Sequence, residues 1–294
     1  MRKMLRQFAE DLAISDLGVC QARTYADLLP ILEKQDTPFC AEPRDRISPF
    51  TLLADAKSII MCAFSYFKGH DAAANLSKYA WGRDYHAVVR EKLQALINKM
   101  EQSFGPFHSF IFCDTSPLCD KYLAWLSGLG FFGDNHLLIH PVYGSYLFLG
   151  GILTSLDIEP DTPIQQHCLK CGKCIAACPS GALSSGRLNP YRCVSYLQQK
   201  KGELSQHQQK WIKNSGMVWG CDQCSDVCPH NVNIARSTIK EFEPISTSLT
   251  RQDLDSSQHF RQQFSDRAFA WRGKAVLSRN LKIVESNLSD ESEK

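Results

Sequence analysis

The chain has 294 residues, 44% of them apolar, and a formal net charge of +2. That length accommodates two domains with a sizeable core, and the composition excludes disordered and fibrous classes. Thirteen cysteines would suggest a disulfide scaffold in a small secreted protein, but Met1–Ala13 is a charged amphipathic stretch rather than a signal peptide, so reduced thiols in the cytoplasm are expected.

Taken in order, residues 1–14 read as a helix with Leu5, Phe8 and Leu12 on one face, and 15–57 as irregular, with prolines at 30, 38, 43 and 49. Ser58–Phe64 is a continuous apolar run and reads as a buried strand. Ala80–His86 is a loop leading into a long helix that carries Val89, Leu93, Leu96, Ile97 and Met100 on one side. Gly105-Pro106 ends it, and Phe107–Phe112 is the next strand. In Cys113-Asp-Thr-Ser-Pro117, Ser116 is expected as N-cap and Pro117 as the first position of a helix reaching about Ser127. Asp114 then lies between a strand end and a helix start, where α/β sheets often carry ligand sites. His136–His140 is expected to pair with Tyr146–Leu153 across the turn 141–144. The region 136–153 is too often broken, by His140, Pro141, Gly144, Gly150 and Gly151, to span a membrane. Residues 1–160 form one mixed α/β domain, 161–235 a cysteine module, and 236–294 a helical segment with Phe260, Phe264, Phe269 and Trp271 and a mobile acidic tail containing Asp290, Glu291 and Glu293. The fold class is α+β.

The cysteine module carries the clearest chemistry. Cys168, Cys171, Cys174 and Cys178-Pro179 follow the bacterial ferredoxin spacing, in which the fourth cysteine serves the other of two clusters. With Cys193, Cys221, Cys224 and Cys228 there are eight thiols, the number that two 4Fe–4S clusters require. The assignment is Cys168, Cys171, Cys174 and Cys228 for one cluster and Cys178, Cys193, Cys221 and Cys224 for the second. Structural zinc also uses Cys-x2-Cys pairs, but it needs no three-cysteine run ending in Cys-Pro, and no histidine sits at ligand spacing. Asn189-Pro190 starts a helix presenting Cys193, and 198–213 is a polar surface excursion. Cys20, Cys40, Cys62, Cys113 and Cys119 read as buried small hydrophobes. Basic residues outnumber acidic ones six to one across Arg187–Lys213 and again across Arg261–Lys282. Such runs are either solvated faces or a phosphate-backbone footprint.

A domain of some 160 residues ahead of the clusters is more protein than an electron carrier needs, and no Gly-x-Gly-x-x-Gly follows a strand to indicate a dinucleotide fold. Asp114-Thr-Ser-Pro117, Gly128–Asn135, Leu137–Ser145, Tyr79–His86, Arg192–Tyr196, Gly220–Pro229 and Trp271-Arg-Gly273 together resemble the epoxyqueuosine reductase family, related to reductive dehalogenases, over about 58–280. The resemblance implies a base-off cobalamin between the N-terminal domain and a ferredoxin-like module, electrons from an external low-potential donor, and reduction of the epoxide of epoxyqueuosine at the wobble position of tRNA to queuosine and water. It implies Asp114 as proton donor, with a pKa raised by burial against the corrin and little positive charge nearby. From the residues alone Asp114 reads as a turn aspartate. Expected cofactor contacts are Tyr79, Arg83, Asp84, Tyr85, His86, Asp114, Leu138, Leu149, Ser195 and Tyr196, and the basic runs are candidate anticodon-stem contacts. Two departures stand out. Gly133-Asp134-Asn135 replaces the family's common Gly-Lys-Asn, placing a negative charge near the expected pocket, and the sequence ends before the C-terminal helical repeats that some members use to hold tRNA. Alternatives are a dehalogenase-like reductase of a small molecule and an iron–sulfur electron carrier. Nothing in the sequence demands more than a monomer.

Overall fold

The structure, a computed structural model, describes residues 1–35 and 37–286. The expected acidic tail with Asp290, Glu291 and Glu293 lies outside the described residues. The N-terminal part is built on an antiparallel sheet of β1 (Asp16–Gln21), β2 (Ser58–Ser65), β3 (Ser109–Phe112) and β6 (Leu147–Thr154), in the order β1-β2-β6-β3. β2 is buried along its whole length. Its side chains alternate between two cores: Ile60, Cys62 and Phe64 face one, and Ile59, Met61 and Ala63 the other. The first core is closed by the helices Arg2–Asp11 and Tyr85–Phe104, the second by the helix Asp120–Leu126 and the segment around Tyr25–Ala56.

The helix Tyr85–Phe104 begins where the Asp84 carboxylate accepts the His86 amide at 3.0 Å, and it buries Val88, Val89, Leu93, Leu96, Ile97 and Met100 at three- and four-residue steps. It packs close to the sheet at Gly150, where a Cβ would stand 2.5 Å from Val89 Cγ1. The expected first helix, the strand at 58–64, the long helix and the strand ending at Phe112 are therefore present.

Several expectations fail. Cys40 is exposed and Cys119 half-buried instead of buried, because both lie in loops that line a cleft. The stretch 15–57 is not wholly irregular, because β1 lies in it; Leu17, Gly18, Val19 and Cys20 are all buried, so no polar alternation marks the strand. Ser116 and Pro117 do not open the next helix. Ser116 Oγ instead accepts the Leu118 amide at 3.2 Å in a local turn, and the helix starts at Asp120. Residues 136–140 do not pair with β6, whose two edges are taken by β2 and β3. β5 (Leu138–Ile139) pairs with β4 (Phe131–Phe132). The polar excursion 198–213 contains a helix, Gln206–Ser215, started by a Ser205/Gln208 capping box and buried through Ile212.

The cysteine module contains the short helices Lys173–Ala176 and Gln223–Asp226 and the helix Val194–Gln199, whose N-cap is Cys193. Asn189 caps only the short turn Pro190–Arg192 before it. The C-terminal helices Ser257–Phe264 and Lys274–Glu285 bring Phe260, Phe264 and Phe269 against Leu76, Trp81 and Trp219, so the last segment clamps the loop entering the long helix onto the cysteine module. Among the described residues no helix is long and apolar enough to cross a membrane.

Candidate active site

Backbone turns gather the cysteines into two groups. Gly172, at φ 72, turns the chain so that the helix Lys173–Ala176 points Cys174 inward. Cys168, Cys171, Cys174 and Cys228 line one cavity, closed by Ile139 and Pro229. The second group is recognised by mutual influence: Cys193 feels the charge of Cys178, Cys221 that of Cys224 and Cys193, and Cys224 that of Cys193 and Cys178. Cys224 also feels Cys174, so the two groups adjoin.

Among the described residues no three His, Cys, Asp or Glu side chains converge as a single ion requires. A cubane differs in that its thiolates surround a volume, and four cysteines around one cavity fit that demand. Cys178 adds a second sign. Burial pushes its thiol up, yet the Ser180 hydroxyl and the amides of Ser180, Leu183 and Ala182 outweigh this and hold it below the ordinary thiol range. Asp134 lines the Cys168 cavity rather than the cofactor cleft, and its charge joins burial in raising Cys174. The expectation that it puts a negative charge near the substrate pocket is therefore corrected.

A joint ties this module to the sheet. Lys78, almost fully buried, reaches Asp226 at 2.7 Å and Asp222 at 3.5 Å. Asp222 accepts Ser77 Oγ at 2.5 Å and the Lys78 amide at 2.8 Å, and Tyr146 Oη donates to Asp226. Asn231 Oδ1 accepts the Ser145 amide at 2.8 Å, and its Nδ2 donates to Ser145 Oγ at 2.9 Å. Gly144, at φ 61, lies so close that a Cβ would stand 2.0 Å from Asn231 Oδ1.

Beside the joint opens a cleft of about 780 Å³, within the usual size of cofactor sites. Tyr66, Tyr79, Tyr85, Leu147, Phe148 and Leu149 give it an aromatic and apolar lining, and the turn 114–121 lines it as well. Asp114 lies two residues beyond the end of β3 and adopts φ 58. Tyr85 Oη donates to Asp114 Oδ2 at 2.5 Å, and His86 Nε2 lies 3.3 Å from the same oxygen. The Tyr85 ring is fixed by stacking on Phe148, 4.1 Å between centroids and 4° between planes. His86 Nδ1 meets Asp84 at 2.7 Å.

This set reverses the expected ionisation. The His86 hydrogen bond draws the Asp114 carboxyl below its ordinary value; burial opposes this, and the Tyr85 hydroxyl adds to the lowering. Burial pushes His86 down, but its bonds to Asp114 and Asp84 outweigh that and raise it to about 9. At neutral pH the pair therefore carries its proton on the imidazole. The expectation of a raised Asp114 omitted the positive charge that His86 supplies.

Tyr79, Tyr85, Asp114, Leu149 and Ser195 line the cleft. Arg83 instead pairs with Glu91 at 3.1 Å, Asp84 caps the long helix, and Leu138 is buried in the second core while its neighbour Leu137 reaches the cleft. Tyr196 packs on Phe39, 5.5 Å between centroids, and Phe39 in turn borders the cleft. Sequence reasoning missed Phe39, Arg46, Tyr66, Phe148, Asp120 and Lys121. The first two come from a stretch without periodicity, whereas the charged pair Asp120-Lys121 after a strand-end turn was a usable sign. Next to Phe39, the Arg272 guanidinium lies 5.2 Å from that exposed ring and 3.9 Å from the exposed Trp271 ring. Within the basic runs, Arg192 binds the Ser180 carbonyl, Arg279 binds the carbonyls of Lys200 and Gly202, and Arg267 is buried, so these three serve the fold. Arg187, Lys201, Arg261 and Lys282 are exposed.

Comparison with known proteins bears on all of this. A family model described as epoxyqueuosine reductase QueG, DUF1730, matches residues 46–115, and one described as a 4Fe-4S double cluster binding domain matches 167–231. The epoxyqueuosine reductase of Lactococcus garvieae is 34% identical over 99% of this chain and 88% of its own length. A crystal structure of an epoxyqueuosine reductase with an epoxyqueuosine-modified tRNA-Tyr stem loop superposes with a TM-score of 0.89 at 32% identity, covering 96% of this chain and 80% of that one. A Bacillus subtilis epoxyqueuosine reductase, described with its catalytic aspartate loop swung out of the active site, gives 0.89 at 31% identity with coverage of 96% and 80%.

Proposed function

The chain belongs to the epoxyqueuosine reductase family, and from that premise we propose that it reduces the epoxide of epoxyqueuosine in tRNA to the alkene of queuosine. The conversion consumes two electrons and two protons and releases water. The observation that carries the reading is a carboxylate, Asp114, bonded to Tyr85 and His86 on one side of an apolar cleft that borders a double-cluster module.

In this reading the eight cysteines hold two 4Fe–4S clusters in the grouping given above. The aromatic and apolar lining of Tyr66, Tyr79, Tyr85, Phe148 and Leu149 suits a corrin, and Ser195 brings the cleft to the helix that follows Cys193. Cobalamin, when bound, supplies the reducing power for breaking the carbon–oxygen bonds. Asp114, ionised at rest, passes the proton held on His86 to the departing oxygen, because hydroxide or alkoxide leaves poorly unprotonated. His86, positively charged below about pH 9, supplies that proton to Asp114, and Tyr85 keeps the carboxylate aimed. The modified base must leave the anticodon stack to enter the cleft, and Phe39 in its lining, with Arg272 and Trp271 next to it, offers faces for stacking. Arg187, Lys201, Arg261 and Lys282 supply phosphate contacts, which fix position without reading sequence.

The test is anaerobic reconstitution with iron, sulfide and cobalamin, followed by incubation with epoxyqueuosine-containing tRNA and a low-potential reductant. Nucleoside analysis is expected to show queuosine. Recovery of intact epoxyqueuosine from protein carrying about eight irons and bound cobalamin would overturn the reading.

A further inference from the structure

Asp120 begins the helix Asp120–Leu126 and lines the same cleft as Asp114. Its Oδ2 accepts the backbone N–H of Asp114 at 3.2 Å, and its Oδ1 is buried without a hydrogen-bond partner among the described residues. Asp114 itself is held at φ 58, a left-handed conformation that costs a residue with a Cβ, aspartate less than most. Other bonds of the turn run from the Thr115 amide and Oγ1 to the Cys113 carbonyl at 2.6 and 3.3 Å, from Arg90 to Thr115 Oγ1 at 3.0 Å and from the Leu118 amide to Ser116 Oγ at 3.2 Å. None of these engages the Asp114 amide.

We infer that Asp120 is a positioning residue: its carboxylate latches the Asp114 amide, keeping the proton donor turned towards Tyr85 and His86, and loss of the Asp120 charge slackens that latch. The inference rests on the reading of Asp114 as proton donor. The ionisable groups facing Asp120 are Asp114 and Cys113 from the strand-end turn and Cys119 and Lys121 from its own helix end. Burial pushes its carboxyl up, the Asp114 N–H bond pulls it down, and the Asp114 charge pushes it up again, to about 7. Below that value the proton sits on the carboxyl and the amide meets a neutral acceptor. Above it the bond is charge-assisted and roughly twice as strong. Unlike an ordinary helix-start aspartate, Asp120 is therefore expected to impose an acid limb on the reaction.

The test compares wild type, Asp120→Asn and Asp120→Ala as cluster-loaded protein. Without added cobalamin, hydrogen exchange at the Asp114 amide should become better protected in wild type as pH rises through about 7. The protection, relative to the intrinsic exchange rate at each pH, should be independent of pH in Asp120→Asn and absent in Asp120→Ala. With cobalamin and epoxyqueuosine-tRNA, Asp120→Ala should lose kcat by about tenfold to a hundredfold, the scale of a misplaced catalytic group, with KM little changed. Asp120→Asn should recover most of kcat and lose the acid limb. Wild-type exchange and kcat in Asp120→Ala, or an acid limb that survives in Asp120→Asn, would overturn the inference. If Asp120→Ala does not fold, the pH profile of Asp120→Asn decides alone. A wild-type protein inactive on the tRNA would instead sink the functional reading, leaving the exchange experiment to judge the latch.

Discussion

The joint and the cleft both set carboxylates beside cationic groups, but they are built to different standards. In the joint, Lys78 and Asp222 are buried, and every polar atom named there has a partner: Asp226 and Asp222 for the lysine, Ser77 and the Lys78 amide for Asp222. In the cleft, the Asp114 side chain is 61% exposed on a strained backbone, and Asp120 Oδ1 has no hydrogen-bond partner among the described residues. A buried network with all its bonds made fixes geometry and gives nothing to a ligand. An incomplete one keeps acceptors and a mobile proton in reserve. The contrast separates the charges that hold the cysteine module against the sheet from those available for chemistry.

The contrast is broken most severely at Cys224, on the short helix that the joint secures. Cys224→Ala is expected to abolish turnover and to lose about four of about eight irons, read by metal analysis; full iron content would show that the second grouping is misassigned. Next comes Lys78→Met, which strands Asp222 and Asp226 without their cation. A loss of about 3–5 kcal/mol in denaturant unfolding is expected, whereas a loss below about 1 kcal/mol would mean that the joint is peripheral. Gly144→Ala should cost about 1–3 kcal/mol by forcing Asn231 away, read as a lowered Tm with normal iron, and an unchanged Tm would place the contact elsewhere. The smallest effect is on pH dependence. The folded-state pKa of His86 is raised, so its bonds to Asp84 and Asp114 contribute stability fully below the usual histidine range and lose it as pH rises through about 9. The reduction rate should fall over the same limb, and His86→Gln should remove that limb; a limb that persists in the variant would assign it to another group.

Much of this was legible in the residues. The cysteine spacing alone gives a four-and-four grouping that matches how the thiols gather, because Cys-x2-Cys leaves the backbone few ways to present its sulfurs. β2 and the long helix were legible from an apolar run and a three-four pattern. β1 was hidden because burial on both faces leaves no alternation, and β4–β5 because two-residue strands carry no period. Within the site, Asp114 could be placed after a strand, but its charge state could not. That depends on His86, which comes from another element 28 positions earlier and is brought beside it only by the packing of the long helix on the sheet. The joint was equally invisible, since nothing local pairs Lys78 with Asp222 across 144 positions.

The central claim is that Asp114 gives the proton. It is tested most directly by single-turnover reduction of an epoxyqueuosine-bearing anticodon stem-loop, comparing wild type with Asp114→Asn at equal iron and cobalamin content. The account predicts that the variant forms queuosine about 10²–10⁴-fold more slowly while both proteins bind the stem-loop alike. Equal rates in the two proteins would contradict it.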